Sequence, residues 1–218
     1  MNGALFPGSS IRTSCRGKKS CVIFSRALSL SRIVIEGNLI RVMPTLRIAK
    51  LGNPVLRQIA APVDPRNIRT YDIQQFIDNL IETMLGEPGI GLAAPQVSRS
   101  IQLVVMGCEG EDGFPQTVLI NPKIVFYGPE QVENWEGCLS VDGLRGKVTR
   151  PSVVRVQALD RHGKSMDFEA TGLYAVCIQH EMDHLIGKVF LDRMTDMSTL
   201  TQLPEFTKYW QDDPVPVI

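Results

Sequence analysis

The chain has 218 residues, 44% hydrophobic and 21% charged, enough for one well-cored globular domain with a further segment attached, which excludes a disordered or fibrous protein. Its formal net charge is zero, yet residues 1–42 carry seven Lys or Arg against Glu36 alone, so from Met43 onward 22 acids face 16 bases, and a body of that sign offers no basic groove for nucleic acid. Five cysteines at irregular spacing, with no CxxC pair, argue against a disulfide framework and fit a reducing compartment.

Taken in chain order, the first segment is Ser- and Arg-rich. Residues 1–42 have the composition of a transit peptide and equally that of an unstructured extension, or of a start assigned too far upstream with Met43 opening the functional chain. Their richest apolar stretch, CVIFSRALSLSRIVI, is cut by Arg26 and Arg32 and cannot span a membrane. Residues 43–218 then read as a single catalytic domain without repeats or low-complexity linkers. Ile73, Phe76, Ile77, Leu80, Ile81 and Met84 form an apolar stripe that predicts a helix over 70–85, stopped by Gly86 and Pro88. Short β-like runs follow at 101–106, 117–121, 123–128, 146–150 and 152–160, and DRHGKS turns the last of them back into MDFEATG. A second helix is expected over 172–186, with Thr171 at its N-cap and Gly187 at its C-terminal end. Helices and an antiparallel-leaning sheet thus segregate along the chain, an α+β pattern.

The second helix carries QHEMDHL, residues 179–185. Residues four apart on a helix lie about 6 Å apart along the axis and roughly 40° apart around it, so His180 and His184 can aim at one metal ion. Glu181, beside the first imidazole, can reach a water at that ion without ligating, as a general base must. Two ordinary histidines on a helix would look the same, so the third ligand decides. His162 sits in a polar turn where solvent is its expected surrounding. Cys177 shares the helix with His184 but is about 10 Å from it in axial rise, too far for one ion. Cys138, in WEGCLSVDG, lies between strand-like segments and offers a thiolate; its competing reading is a buried core thiol. A carboxylate downstream, Glu205, would instead make the site a zincin-type metallopeptidase.

Three blocks together, GIGLAAPQ (89–96), EGCLS (136–140) and QHEMDHL (179–185), resemble the three signatures of the peptide deformylase family, in its order and at roughly its separations, over about residues 45–195. The resemblance implies an α+β domain in which a central HExxH-bearing helix packs against short antiparallel sheets. It implies Cys138, His180 and His184 as metal ligands, Glu181 as acid/base, and Gln96 with the Leu139 N–H as oxyanion donors. The activity implied is removal of the N-formyl group from the N-terminal formyl-methionine of new polypeptides, with release of formate. One ion per chain is expected, Fe²⁺ by family likeness, with zinc equally suited by ligand softness.

An apolar pocket for methionine is expected beside the ion. Leu173, Val176 and Cys177, one and two turns before His180, face its side of the helix, and Ile90 can close the pocket. Gly91 lets a substrate backbone approach closely. The expected partners are nascent formyl-Met polypeptides, with transient proximity to the ribosome and neither nucleic acid nor membrane. A bacterial cytoplasm is the expected location, with a plastid or mitochondrion the alternative that the N-terminal segment raises. The chain departs from many relatives in placing Asp142 where they have a proline, and its acidic C-terminal tail is poorly suited to docking on the ribosome. A catalytically silent metal-binding module of the same fold is the remaining alternative.

Overall fold

A computed structural model describes residues 12–14, 20–24, 31–36, 39–110 and 113–211, with those up to Pro44 described as backbone alone. Four short strands, β1 (Arg12–Ser14), β2 (Ser20–Phe24), β3 (Ser31–Glu36) and β4 (Leu39–Pro44), make an antiparallel sheet in that order. The remainder of the expected N-terminal extension lies outside the described residues.

Helix α1 (Tyr71–Gly86) forms where the apolar stripe predicted it, and Ile77, Leu80 and Met84 on that stripe are fully buried. Burial of each such side chain stabilises the fold by roughly 1.5–3 kcal/mol relative to exposure. Next come β5 (Gly91–Ala93), β6 (Leu103–Cys108), β7 (Phe114–Tyr127), β8 (Gln131–Cys138), β9 (Val141–Pro151), β10 (Val153–Leu159), β11 (Ser165–Thr171), α2 (Gly172–Leu185), β12 (Thr201–Gln202) and α3 (Leu203–Tyr209). Two antiparallel sheets result, one in the order β11-β10-β7-β6-β5 and one in the order β12-β9-β8. Mixed helices and antiparallel sheets are what the sequence predicted.

The uninterrupted apolar run of β6 has a reason in this layering. Side chains alternate across a strand. Leu103 and Val105 join the core under α1, together with Leu92 and Ile120, while Val104 and Met106 join the core under α2, together with Ala93 and Leu119. Both faces of the strand are therefore covered, so neither has room for polar residues. From α2, Ala175, Cys177, Ile178 and Leu185 complete that second core, which also takes Val154, Val156 and Ala170 from β10 and β11. Helix α2 touches β9 of the smaller sheet as well.

Two expected strands, 117–121 and 123–128, are one. Asn121 adopts φ 51°, and its side chain bonds both the N–H and the C=O of Val63 at 2.8 Å, so the Asn-Pro pair that reads as a break is absorbed without ending β7. Strand β8 escaped the periodic reading because its outer half, QVEN, is polar. Its inner Trp135 is buried and packs edge-on against Phe206 of α3, with ring centroids 5.1 Å apart. Thr171 occupies the N-cap of α2 but makes no side-chain capping bond. Gly187 follows the helix at φ 74°, where a Cβ would lie 2.7 Å from the Arg57 carbonyl oxygen, so both its conformation and its crowding require glycine. Among the described residues, no helix is long and apolar enough to cross a membrane.

Candidate active site

His180, Glu181 and His184 lie on the buried side of α2, and Cys138 ends β8. The hairpin of β8 with β9 closes over Leu139 and Ser140, which brings a thiol 46 positions away in sequence to the helix. Ligand atoms from Cys138, His180 and His184 all lie within 4.8 Å of one another, and the Cys138 Sγ is 3.4 Å from the His184 Nε2. This is the donor group formed among the described residues. Glu205 is exposed on α3, His162 is exposed in the β10–β11 turn, and Cys177 is fully buried in the core behind the helix; none joins it. Cys108 is half-buried at the end of β6.

Whether this group suits an ion can be tested on its surroundings. Oε2 of Glu181, in the same cleft as Cys138 and His180, is buried and makes no hydrogen bond to protein, so polar capacity is left unused at this spot. A buried polar atom left unpaired costs about 1–3 kcal/mol, and such a cost in native structures points to a ligand or ion. One thiolate and two imidazoles also match the donor chemistry of a borderline divalent metal. The residues fit.

Burial pushes the Glu181 carboxyl up to about 7, with the His180 and His184 imidazoles pulling it down and the Cys138 and Glu136 charges pushing it further up. Burial also opposes ionisation of the Cys138 thiol, but His184 and His180 outweigh it and hold the group well below the usual thiol range. Cys177 is the reverse case: burial, reinforced by Glu181, keeps its thiol well above that range, so it behaves as an apolar core residue.

Glu136 was not foreseen from the sequence. Its Oε2 is 2.8 Å from the His180 Nδ1, an arrangement that turns the other ring nitrogen toward the ligand cluster. Burial alone would raise its pKa, yet hydrogen bonds from Arg150 and His180 bring it down to about 2. Arg150 in turn donates to Asp183 at 2.9 Å, and Arg193 donates to Asp183 at 3.0 Å, so alternating charges run from the half-exposed Arg193 inward to His180. Glu136 and Asp183 were within reach of the sequence, since each is an acid inside a signature block, two residues from Cys138 and one from His184. Arg150 and Arg193 give no local signal.

Gln96 follows β5 in a short 3-10 turn. Its Oε1 accepts the Ala93 N–H at 2.7 Å, which turns its amide Nε2 toward Cys138 Sγ, 3.5 Å away, and Ser140 Oγ, 3.4 Å away. Gly91 stands against the base: a Cβ there would lie 2.5 Å from Glu181 Oε1. A side chain at this position would have to displace the Glu181 carboxylate.

A cleft of about 170 Å³ opens onto these groups, lined by Ile90, Gly91, Gln96, Cys138, Leu139, His180 and Glu181, and also by Lys50, Asp142 and Arg145. Of the four residues expected to form a methionine pocket, Ile90 lines this cleft. Val176 and Cys177 are fully buried, with the Cys177 Sγ 3.8 Å from the Ile90 carbonyl oxygen, and Leu173 packs half-buried on the same core. None of those three lines this cleft, and Leu173 lines a separate one beside Phe114 and Tyr174.

A helix-borne pair of imidazoles, a thiolate from a β-hairpin and a buried carboxylate at the end of a cleft define the class of mononuclear metallohydrolases. A sequence profile of the polypeptide deformylase family matches residues 45–199. Peptide deformylase 2 of Nostoc sp. is 43% identical over 164 residues, 72% of this chain and 90% of that protein. The peptide deformylase of Acinetobacter baumannii is 46% identical over 155 residues, 71% of this chain and 86% of that one. The Met-Ala-Ser-bound crystal structure of class I type b peptide deformylase from A. baumannii superposes with a TM-score of 0.67 at 34% identity, covering 70% of this chain and 99% of that one. Peptide deformylase from Thermotoga maritima gives 0.64 at 35% identity, with 70% and 99% covered. The chain belongs to the polypeptide deformylase family.

Proposed function

We propose that this chain hydrolyses the N-formyl group from the N-terminal formyl-methionine of nascent polypeptides and releases formate. The observation that carries the reading is the convergence of Cys138, His180 and His184 beside the buried, unpartnered Oε2 of Glu181, in a chain of the deformylase family. One ion per chain would be held by those three residues, Fe²⁺ in our reading, with zinc able to substitute. When bound, it would supply Lewis acidity that makes a neighbouring water deprotonable near neutral pH.

The chain's own groups supply the rest. Glu181 takes the proton of the attacking water at Oε2 and later gives it to the leaving amine. The Gln96 amide and the Leu139 N–H donate to the formyl oxygen as charge develops there; their positions are fixed beforehand, so little reorganisation accompanies the reaction, and loss of one such donor costs on the order of 100-fold in rate. Glu136 keeps the His180 ring in register. The flanking glycines leave room for an extended substrate backbone along the cleft.

Ile90 forms the near wall of the methionine pocket in this proposal, with Leu173, Val176 and Cys177 its apolar depth. Replacing Val176 with Phe is expected to raise KM for formyl-Met peptides severalfold; unchanged kinetics would remove Val176 from the pocket. Within the domain, α2 is taken as the central helix and residues 43–218 as one catalytic unit, with 1–42 an extension. The substrate emerges at the ribosome, so transient proximity to it follows from the reaction. A bacterial cytoplasm is the proposed setting, and an organelle is the alternative if residues 1–42 act in targeting.

The test is an anaerobic assay of the iron-loaded protein for formate release from formyl-Met-Ala-Ser, beside Glu181→Ala. Turnover by the wild type and a loss of about 10²–10⁴-fold in the variant are expected; an inactive wild type would end the reading. A zincin-type peptidase would need Glu205, which is exposed on α3. If Cys138→Ala retained stoichiometric metal while Glu205→Ala lost it, the peptidase reading would replace this one.

A further inference from the structure

Residues 49–51 have no place in the three signature blocks, yet the hydrogen bonds donated by Ala49, the Lys50 ammonium and Leu51 run to Gln96, to Leu139 and its neighbour Ser140, and to Asp142. The Ala49 N–H donates to the Gln96 carbonyl at 2.7 Å, and the Leu51 N–H donates to the Ser140 carbonyl at 2.7 Å. Between them, the Lys50 side chain lines the cleft, its ammonium donating to the Leu139 carbonyl at 2.8 Å and to Asp142 Oδ1 at 2.7 Å. A single three-residue segment thus ties down the main chain of both residues assigned as oxyanion donors. The Leu139–Ser140 peptide is held at its other end as well, because the Ser140 N–H points at Cys138 Sγ, 3.4 Å away.

We propose that Lys50 is a positioning residue for the reaction: by fixing the Leu139–Ser140 peptide plane at its carbonyl it restrains the backbone of Leu139 and so the adjoining peptide that carries the Leu139 N–H, with Asp142 holding the ammonium in place. The inference rests on the deformylase reading and deepens it. Magnitudes separate this role from a contribution to stability. The Lys50 and Asp142 side chains are 51% and 69% exposed, and ion pairs of that exposure contribute little to stability. Such a pair is too weak to matter to the fold. An oxyanion donor loses its effect when displaced by a fraction of its hydrogen-bond length, so the same pair can matter to the rate.

The experiment compares Lys50→Met, Lys50→Arg, Asp142→Asn and the Lys50→Met/Asp142→Asn double variant with the wild type, measuring kcat and KM for formyl-Met-Ala-Ser, bound metal and Tm. Lys50→Met is expected to lower kcat about tenfold, less than outright loss of a donor, with KM within about twofold and with metal content and Tm unchanged. Lys50→Arg, which can span both acceptors, is expected to restore most of kcat. Asp142→Asn is expected to lower kcat about threefold on its own and to add nothing to Lys50→Met, since both act through one contact. Wild-type kcat in Lys50→Met would overturn the inference and leave the deformylase reading intact. A lowered kcat accompanied by lost metal or a lower Tm, or additive effects of the two substitutions, would overturn it too. An inactive wild type would overturn both.

Discussion

At the scale of single residues, the site is set by what surrounds Glu181. The carboxylate has His180 and His184 on its own helix and the backbone of Gly91 against its Oε1. Gly91→Ala is expected to displace the base by the width of a methyl group and to lower kcat by about 100-fold, within the range general-base catalysis contributes. Tm and metal content should stay near those of the wild type; a variant with full kcat would show that Glu181 does not need that space. Glu136→Gln keeps the shape of the side chain beside His180 but removes its charge. It is expected to weaken metal retention about 10- to 100-fold in a chelator competition. Because it leaves the buried Arg150 with Asp183 alone, it is also expected to lower unfolding stability by roughly 3 kcal/mol in urea. Cys138, His180, Glu181, His184 and Gln96, which the fold brings together, were legible because each sits in a block of characteristic spacing. Lys50, Arg150 and Arg193 were not, since ion pairs across 10 to 92 positions of chain, between separate elements, leave no local pattern.

At the scale of elements, α1 and α2 were legible to within a residue or two, because a 3.6-residue stripe ended by glycine leaves little freedom. The strands were less so. Strand β5 is three residues long, and β8 is polar in its outer half, so periodicity had too little to act on. The segment after α2 offers a test of how such irregular pieces are held. Asp192 accepts the Val189 N–H at 2.8 Å and pairs with Arg57, which also donates to the Gly187 carbonyl at 3.3 Å. Partial burial pushes the Asp192 pKa up, but the Val189 N–H and Arg57 outweigh it, so the carboxyl is held below its ordinary value. A depressed folded-state pKa adds stability above the unfolded value of about 4, and that stability is lost as pH falls through the folded value. Asp192→Asn is therefore expected to lower unfolding stability at pH 7 by under about 1 kcal/mol, given that Asp192 is one-third exposed. The difference from wild type should vanish near pH 2. A penalty that persisted there would assign the effect to shape rather than charge.

At the scale of the whole molecule, the two sheets and two helices do one thing that no element does alone: they bring a thiol from a β-hairpin, an amide from the turn after β5 and three groups on α2 to one cleft. The motifs implied that convergence, but the sequence alone could not say which chain segments would brace it, because two of the braces are main-chain hydrogen bonds available to any residue type and the third joins Lys50 to a main-chain carbonyl 89 positions away. They begin early. The Leu46 N–H donates to Thr83 Oγ1 at 2.8 Å, and the ties of Ala49 and Leu51 to the site follow within five residues. The family match likewise starts at residue 45. A chain beginning at Met43 retains all of these contacts, and it is expected to release formate with kcat and KM within about twofold of the full-length protein at equal metal loading. A chain beginning at Gly52 loses Ala49, Lys50 and Leu51 together, so both proposed oxyanion donors lose their main-chain braces. Its kcat should fall by more than the roughly tenfold expected of Lys50→Met, even in material that still binds one ion. Equal activity in the two truncated chains would mean that the cleft holds its shape without the segment that braces it, and a Met43 chain without activity would mean that residues 1–42 belong to the catalytic unit.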